Sequence, residues 1–308
     1  MRTCPNCYKE LPEDNVFCPQ CGYGIEDDGL LYHYTSIDTL NAILSNIEHN
    51  APEYADHDSL DFYKFKLRAT HWMFLNDPLE YKFLLQKLTK FVEEDPDLKP
   101  YSDAFNTAIS LSGAFAGMPY IISLSKCKDS LDMWRSYSKN GAGAAIAFDR
   151  EALLRIIPEQ NKENVFATER TYECRYLDDT KIQEKCASLK VYLLQVLSEK
   201  NIKINAFSPL VESCIVFKHP CYLNEREVRI VLFDNSPRAC NSKFRTSNGV
   251  NIPYREVILP ISAIKKIVIG PCANKEQNIA SIKMQLSSIS HLIHDFPVEA
   301  SELPYRQV

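Results

Sequence analysis

The stretch NEREVRIVLF, residues 224–233, combines aliphatic residues with regularly spaced charges. Successive side chains of a strand point to opposite faces, so this pattern separates into two sets. One set is aliphatic apart from one arginine: Arg226, Val228, Ile230 and Leu232. The other set begins with three charged residues: Glu225, Glu227 and Arg229. The aliphatic set predicts that residues 225–233 form a strand whose inner face packs on a core.

The charged face of this strand has more than one interpretation. An exposed face with a salt bridge between neighbouring side chains is common and contributes little to stability. Alternatively, the face lines a functional site. In that case Glu225 and Glu227 suit a nucleotide-processing hydrolase in which one carboxyl acts as acid and the other as base. The strand by itself does not separate these interpretations.

Length and composition limit the protein class. The chain has 308 residues, of which 45% are hydrophobic, and a net charge of −5. These values predict a globular core in one main domain with a smaller addition, and they argue against a generally basic surface for nucleic acid. The N-terminus shows no apolar signal segment, and the most apolar stretch, residues 114–125, is broken by Gly117 and Pro119. We therefore expect a soluble cytoplasmic protein without membrane spans.

The first 25 residues contain two cysteine pairs with the same internal spacing. The stretch CPNCYKELPEDNVFCPQC places one C-x-x-C pair at residues 4 and 7 and another at residues 18 and 21. Each pair directs two thiolates toward one side of a tight turn, and two pairs complete a tetrahedral site for zinc. The four predicted metal ligands are Cys4, Cys7, Cys18 and Cys21. Residues 1–25 are therefore predicted to be a zinc ribbon with a structural zinc.

The surface charge of this ribbon indicates which partners it suits. Two basic residues stand against six acidic ones between residues 1 and 28. Because an acidic surface repels phosphates, we expect the ribbon to dock protein rather than nucleic acid. Residues 26–30 are predicted to be a linker, and 31–308 the main domain. We therefore expect zinc removal to loosen residues 1–25 and to spare the rest.

Strand and helix patterns alternate through residues 30–308. The predicted strands cover 30–34, 69–76, 120–125, 143–149, 225–233 and 264–270. The predicted helices cover 35–46 with Thr35 as N-cap, 77–94 with Asp77, Pro78 and Glu80 as a capping box, about 101–115, a segment capped by Asp149, a helical stretch of about 179–217, and 274–286. The sequence thus predicts a mixed α+β domain with strands far apart in the chain.

Several aromatic and polar residues are candidates for ligand contacts. His33 and Tyr34 lie in an aromatic strand, where a lone histidine is usually part of the core. Trp134 and Tyr137 are three positions apart, so a helix would place both on one face, either in the core or stacked on a ring. Asn76 lies beside the predicted capping box and has no role in it.

Five motifs, taken in order, resemble a widespread bacterial family of unknown function found near defence genes. They are LYHYTSIDTLNAIL (31–44), FLNDPLEY (74–81), ISLSKCKDSLDMWRSYSKNGAGAAIAFD (122–149), FKHPCYLNEREVRIVLF (217–233) and IKKIVIGP (264–271). Their order is similar to that of ADP-ribosyltransferases, including the DNA-modifying toxin group. The resemblance covers about residues 30–272 and excludes the ribbon.

This resemblance implies a fold and a set of site residues. The fold is an α+β core with two small sheets that split around NAD, with a helical insertion at about 179–217. The implied catalytic residues are Glu227 first, then Glu225, and Tyr137. The implied NAD-binding residues are His33, Tyr34, Thr35, Asn76, Trp134 and Arg229, where Arg229 either orients the glutamate or neutralises the pyrophosphate.

The resemblance predicts an NAD-dependent ADP-ribosyltransferase acting on nucleic acid or protein, in the setting of a toxin or phage-defence effector. A carboxylate beside the ribose would stabilise the positive charge that develops when the nicotinamide bond breaks. The alternative is a non-catalytic sensor or adaptor, in which the zinc ribbon precedes a degenerate transferase-like domain. We expect convergence of His33, Tyr137 and Glu227 in one cleft if the first prediction holds, and a solvent-facing Glu227 if the second does.

Overall fold

The structure is a computed structural model of the chain. It describes residues 1–4, 6–13, 15–21, 23–25, 27–50, 59–77, 82–115, 118–159, 167–199, 204–234, 242–247, 249–289, 293 and 296–305. The predicted roles of Pro78 and Glu80 in a capping box fall outside these residues.

The secondary structure contains strands from end to end of the chain, with helices between them. The strands are β1 Arg2–Thr3, β2 Glu10–Leu11, β3 Leu30–Thr35, β4 Glu48–His49, β5 Tyr63–His71, β6 Met118–Ser125, β7 Ala144–Asp149, β8 Ala167–Glu173, β9 Arg175–Tyr176, β10 Phe217–Lys218, β11 Glu227–Asp234, β12 Lys243–Ser247, β13 Val250–Pro260, β14 Ile264–Ile269 and β15 Val298–Ala300. The α-helices are α1 Ile37–Ser45, α2 Lys82–Glu94, α3 Ser102–Phe115, α4 Leu131–Tyr137, α5 Arg150–Glu159, α6 Asp179–Leu197, α7 Ser208–Val216 and α8 Lys275–Ile289.

Within the described ranges, eleven of these strands form one large mixed sheet. Its main path runs β12-β13-β5-β6-β3-β7-β14-β15, with β11 on the other edge of β6, β8 outside β11, and β4 beside β5. Most neighbours are antiparallel, whereas β14 and β15 are parallel. The predicted core of two small sheets is not confirmed: β3 joins β6 through the pair Tyr32–Ser125, so the described strands form one sheet.

One face of this sheet carries the main core. The alternating residues Phe65, Ile122, Ile146 and Ile230 come from four different strands and are all buried there. Helices α1 and α8 cover this face with further aliphatic residues, including Leu40 and Leu44 of α1, and Ile282 and Leu286 of α8. Period-two strands facing amphipathic helices thus bury a shared apolar layer.

A second core lies among the helices. Residues of α2, α3, α6 and α7 pack together there, including Leu88, Phe105, Leu193 and Leu210. The helical stretch predicted at about 179–217 contains α6 and α7, as expected from its periodicity. This helical core lies beside β9 and β10, the short strands that precede α6 and follow α7 in the chain.

Most predicted elements are confirmed, and two details are wrong. Ser36, not Thr35, is the N-cap of α1, because its side chain accepts the amide of Thr39. The predicted strand 69–76 ends at His71, where a 3-10 turn begins. The predicted linker is anchored: Asp27 pairs with Arg150 at 2.5 Å. Asp149 caps α5 as predicted, since its carboxylate accepts the amide of Ala152.

Candidate functional site

A cleft lies where the sheet opens between β3 and β5. Strand β6 pairs with β11 along one whole edge. On its other edge it pairs with β5 at residues 120–121 and with β3 at residue 125. Between these two contacts, at residues 122–124, the described strands leave that edge of β6 unpaired. Residues from β3, β5, β6 and β11 therefore converge on one opening without belonging to one continuous ladder.

The cleft has two connected parts. The inner cavity has a volume of about 190 Å³, and Tyr137, Glu225 and Glu227 line it. The outer cavity has a volume of about 730 Å³ and lies over α1 and the edge of β12. His33 lines both cavities and so lies at their junction. The residues predicted to converge, His33, Tyr137 and Glu227, thus do share one cleft.

His33 is fixed at this junction by the open edge of β6. Its Nδ1 lies 3.2 Å from the carbonyl oxygen of Ser123. Burial lowers the pKa of His33 below its ordinary value of 6.5, so the ring is neutral at pH 7. Because a carbonyl only accepts hydrogen bonds, Nδ1 carries the proton and Nε2 is left as an acceptor.

Glu227 begins β11 and is almost completely buried. Arg229 donates from Nε and Nη2 to its two carboxylate oxygens, at 3.0 and 2.9 Å. Lys218 donates to Glu227 Oε2 at 3.0 Å. Burial opposes ionisation of the Glu227 carboxyl, but Arg229 and Lys218 outweigh it and hold its pKa well below the usual value. Glu227 is therefore a fixed negative charge, and the prediction of a solvated salt bridge is wrong.

Glu225 is the second carboxylate that contacts Lys218, and it lines the inner cavity. Lys218 donates to Glu225 Oε2 at 2.6 Å, and the hydroxyl of Tyr137 donates to Oε1 at 2.5 Å. Burial, reinforced by the charge of Glu225, raises the pKa of Tyr137 far above its usual value, so the phenol keeps its proton. We call Lys218, Glu225, Glu227 and Arg229 the charge quartet.

A tight turn brings Glu225 to this position. Glu225 ends the 3-10 helix Pro220–Glu225, and Arg226 follows in a left-handed conformation with φ 43°. The end of β6 fastens the turn, since the hydroxyl of Ser125 donates to the carbonyl of Glu225 at 2.6 Å. The strand therefore begins at Glu227, and the prediction that Glu225 and Arg226 belong to it is wrong. Glu225 reaches the cleft through the turn instead.

The structure separates the remaining predicted ligand-binding residues. Tyr34 and Asn76 line both cavities, and Thr35 lines the outer one. Trp134 is fully buried, outside both linings, and packs edge-on against Tyr34 at a ring distance of 4.8 Å. Arg229 is also fully buried. Trp134 therefore supports Tyr34 from behind, and Arg229 orients Glu227 instead of reaching a ligand.

Three residues of the cleft were not predicted from the sequence. Lys218 joins the two carboxylates, and Arg68 and Arg245 line both cavities from neighbouring parts of the sheet. Lys218 precedes the charged strand by several residues and belongs to the two-residue strand β10. Because single basic residues are common and these three meet only through tertiary contacts, no local pattern distinguishes them.

The ribbon cysteines form a compact cluster apart from the cleft. All four Sγ atoms lie within 4.8 Å of one another, with Cys4–Cys21 at 3.7 Å and Cys7–Cys18 at 3.6 Å. Four sulfurs about 2.3 Å from a central zinc in a tetrahedron are about 3.8 Å apart. The spacing and the all-thiolate donor set thus fit a structural zinc ion.

Comparisons with known proteins give two matches. Residues 133–230 match a family described as a protein of unknown function, DUF2971. Residues 3–25 match the zinc-ribbon domain. The first match supports the resemblance to a family of unknown function over a shorter range than the five motifs suggest. It contains Tyr137 and the charge quartet, whereas His33 precedes it.

These matches do not extend to ADP-ribosyltransferases, so that part of the resemblance stays a prediction. No curated protein and no solved structure matches the chain. Among the described helices, none has the length and apolar character needed to cross a bilayer.

Proposed function

We propose that the cleft binds NAD and transfers its ADP-ribose unit to an acceptor. The proposal is carried by one observation: His33, Tyr137, Glu225 and Glu227 come from distant parts of the chain and line one cavity. A neutral imidazole, a protonated phenol and two carboxylates around one opening suit a ribose, which presents several hydroxyls and develops positive charge.

The proposed chemistry centres on the bond between nicotinamide and ribose. This bond breaks with its electron pair going to nicotinamide, which leaves as a neutral ring while the ribose becomes oxocarbenium-like. The acceptor then forms a new bond to the same ribose carbon and loses one proton. Glu227 remains anionic beside Arg229 and stabilises the developing positive charge, as carboxylates do in glycoside cleavage.

Glu225 and His33 have separate roles in this scheme. Glu225 is the more accessible carboxylate of the two, with side-chain exposures of 12% against 5% for Glu227. It is therefore the group proposed to accept the proton of the acceptor. His33 offers Nε2 to a ribose hydroxyl, because Nδ1 is occupied by the Ser123 carbonyl. Tyr137 keeps Glu225 oriented through its hydrogen bond.

The first test incubates the protein with NAD labelled in the adenylate half and with DNA, RNA or cell lysate as acceptor. It measures the nicotinamide released and the label transferred to each acceptor. We expect wild-type protein to release nicotinamide and to label one acceptor class. Glu225→Gln, Glu227→Gln and Tyr137→Phe are each compared with Glu184→Ala, an exposed position on α6. Loss of a transition-state contact should lower release about 100-fold for Glu227→Gln.

Two outcomes would overturn the proposal. Wild-type release rates in both glutamate variants would remove these carboxylates from the chemistry. No release by wild-type protein with any acceptor would favour the non-catalytic adaptor. Release of nicotinamide with only free ADP-ribose as product would instead make water the acceptor.

A further inference from the structure

The outer part of the cleft contains two arginines for which the described part of the chain provides no ion-pair partner. Arg68 on β5 and Arg245 on β12 both line the inner and outer cavities. Among the described residues, neither forms an ion pair. The guanidinium of Arg68 lies over the ring of Tyr254 at 5.0 Å, and Arg245 donates to the Thr70 hydroxyl at 3.4 Å.

The other cations of the outer cavity differ from this pair because each has a carboxylate partner. Lys66 pairs with Glu48, and Lys243 pairs with Glu256 at 2.7 Å. Glu256 is the cross-strand neighbour of Arg68, yet its carboxylate bonds to Lys243. Asp38 of α1 is the remaining acidic residue in the outer lining. Although the net charge of the protein is −5, no carboxylate of the described residues pairs with either guanidinium in this cleft.

These two guanidiniums also affect one another. Burial and the charge of nearby Arg68 together lower the pKa of Arg245 from its ordinary value. Placing like charges together costs stability unless an anion offsets them. Guanidinium groups bind phosphate oxygens through paired hydrogen bonds, which gives both affinity and orientation.

We propose that Arg68 and Arg245 bind the pyrophosphate of a dinucleotide whose ribose occupies the inner cavity. Both arginines line both cavities, so they stand where the ligand leaves the inner part for the outer part. This inference rests on the proposed function for the identity of the dinucleotide. The phosphodiester of a nucleic acid offers the same chemistry and is the competing source.

The experiment measures binding by calorimetry with three probes: ADP-ribose, adenosine and a single-stranded oligonucleotide. ADP-ribose should bind more tightly than adenosine, and Arg68→Ala or Arg245→Ala should weaken ADP-ribose about 10- to 100-fold. Arg170→Ala is the matched control, because Arg170 lies outside both linings and its half-exposed guanidinium is already paired with Glu212. It should leave affinity within about twofold.

Unchanged ADP-ribose affinity in both arginine variants would overturn this site. Arginine-dependent binding of the oligonucleotide alone would also overturn it, and would assign the pair to a phosphodiester. Arginine-dependent ADP-ribose binding without any nicotinamide release from NAD would keep the site and remove the transferase activity. The two proposals can therefore fail separately.

A different observation concerns the contact between the ribbon and β9. Asn6 lies between Cys4 and Cys7 and is nearly fully buried. Its side-chain amide donates to the carbonyl of Tyr176 at 3.2 Å, and its side-chain oxygen accepts the Tyr176 amide at 2.8 Å. One zinc knuckle thus holds the backbone of Tyr176 by both polar groups, as a neighbouring strand would.

Tyr176 connects the contact with Asn6 to Glu227 in the cleft. Its hydroxyl accepts the backbone amide of Glu227 at 2.8 Å. The ribbon makes two further contacts nearby: Tyr23 donates to Glu173 at 2.9 Å, and Arg226 lies over the Tyr23 ring at 5.6 Å. The ribbon and β9 also share one apolar cluster, which includes Cys174 and Tyr176.

We infer that the zinc ribbon positions Glu227 through Asn6 and Tyr176, whatever reaction the cleft performs. The four thiolates of the ribbon would hold the metal, and the metal would keep the Asn6 knuckle in shape. Asn6 and Tyr176 are positioning residues in this scheme. This inference contradicts the expectation that zinc removal spares everything beyond residue 25.

Hydrogen–deuterium exchange of the full chain tests this inference without an activity assay. Chelation should increase exchange in residues 173–176 and 224–229 as well as in 1–25, while β7 and β14 stay protected. Asn6→Ala with zinc still bound, checked by metal analysis, should raise exchange in the same two segments at least about fivefold. Asn15→Ala in the ribbon is the control.

Exchange that rises only within residues 1–25 after chelation, with Asn6→Ala equal to wild type, would overturn the inference. The ribbon would then be an independent module. Tyr176→Phe gives a second check, because it removes the acceptor of the Glu227 amide and leaves the ribbon contacts to the backbone in place.

Discussion

The inner and outer ends of the cleft differ in how their charged side chains are paired. At the inner end, the charge quartet combines two cations with two carboxylates, all in hydrogen-bond contact. At the outer end, Arg68 and Arg245 line the same two cavities and form no ion pair among the described residues. Buried charges are tolerated when they are paired, whereas a solvent-exposed cation can remain without a counter-charge until a ligand binds. The inner charges thus contribute to the fold as well as lining the site, whereas the outer arginines are the pair that we propose to bind a ligand.

The sharpest test of this contrast is Glu227→Ala. It removes the buried carboxylate that both Arg229 and Lys218 contact, while Lys218 keeps its contact with Glu225. We therefore expect a loss of about 3–5 kcal/mol in the free energy of unfolding. Chemical denaturation measures the loss, with exposed Glu184→Ala as control. Replacing both Glu227 and Arg229 by methionine should recover much of it. A single variant as stable as wild type would show that the quartet is not structural.

Tyr137→Phe removes one hydrogen bond from the inner end without changing its charge. The phenol donates to a carboxylate at 2.5 Å, so its loss should cost about 1.5–3 kcal/mol. The same denaturation experiment measures this cost. If the variant retains wild-type stability but loses NAD turnover, then Tyr137 serves the reaction and not the fold.

The junction of the two ends should respond to pH through its histidine. Burial lowers the pKa of both His33 and His71 below 6.5 in the folded chain. Below pH 6.5 the unfolded chain therefore binds more protons than the folded chain. The contribution of the two histidines to the free energy of unfolding is complete above pH 6.5 and is lost as the pH falls through their folded pKa. Each histidine contributes up to about 1.4 kcal/mol per pH unit.

Melting temperatures between pH 7.5 and 5 measure this dependence. His33→Asn should flatten the acidic limb, because it removes one of the two groups. A curve of unchanged slope in that variant would mean that folding does not shift the pKa of His33.

The smallest effect is expected at the outer end. Arg245→Ala removes a cation that Arg68 repels, so the free energy of unfolding should change by no more than about 0.5 kcal/mol. Arg229→Ala, at the inner end, should by contrast resemble Glu227→Ala. Denaturation of the two arginine variants side by side gives the comparison directly. Equal losses in the free energy of unfolding would show that the arginines at the two ends contribute equally to folding.

The ribbon shows how far local sequence can reach. Its four cysteines lie within 18 residues, and the spacing alone predicts both the metal and the turns. The period-two pattern likewise predicts that Glu227 and Arg229 share a face opposite Val228 and Ile230, which the structure confirms. It does not predict that the charged face is buried, because burial depends on helices and strands from other parts of the chain.

The cleft shows where local sequence stops. Lys218 joins the two carboxylates only because β10 pairs with β9, and Glu225 enters through a left-handed turn rather than a strand position. Arg68 and Arg245 become neighbours because β13 lies between their strands. Trp134 could be assigned to either core or ligand from its sequence context, and only packing placed it in the core.

The sequence by itself determined the zinc ribbon, most strands and helices, and the aliphatic face of the charged strand. These features depend on side-chain spacing within a few turns or residues, which local periodicity records. Tertiary structure alone decided the opening between β3 and β5, the charge quartet, and the contact from Asn6 through Tyr176 to Glu227. These contacts join residues far apart in the chain, and their energies depend on burial and pairing that no short segment encodes.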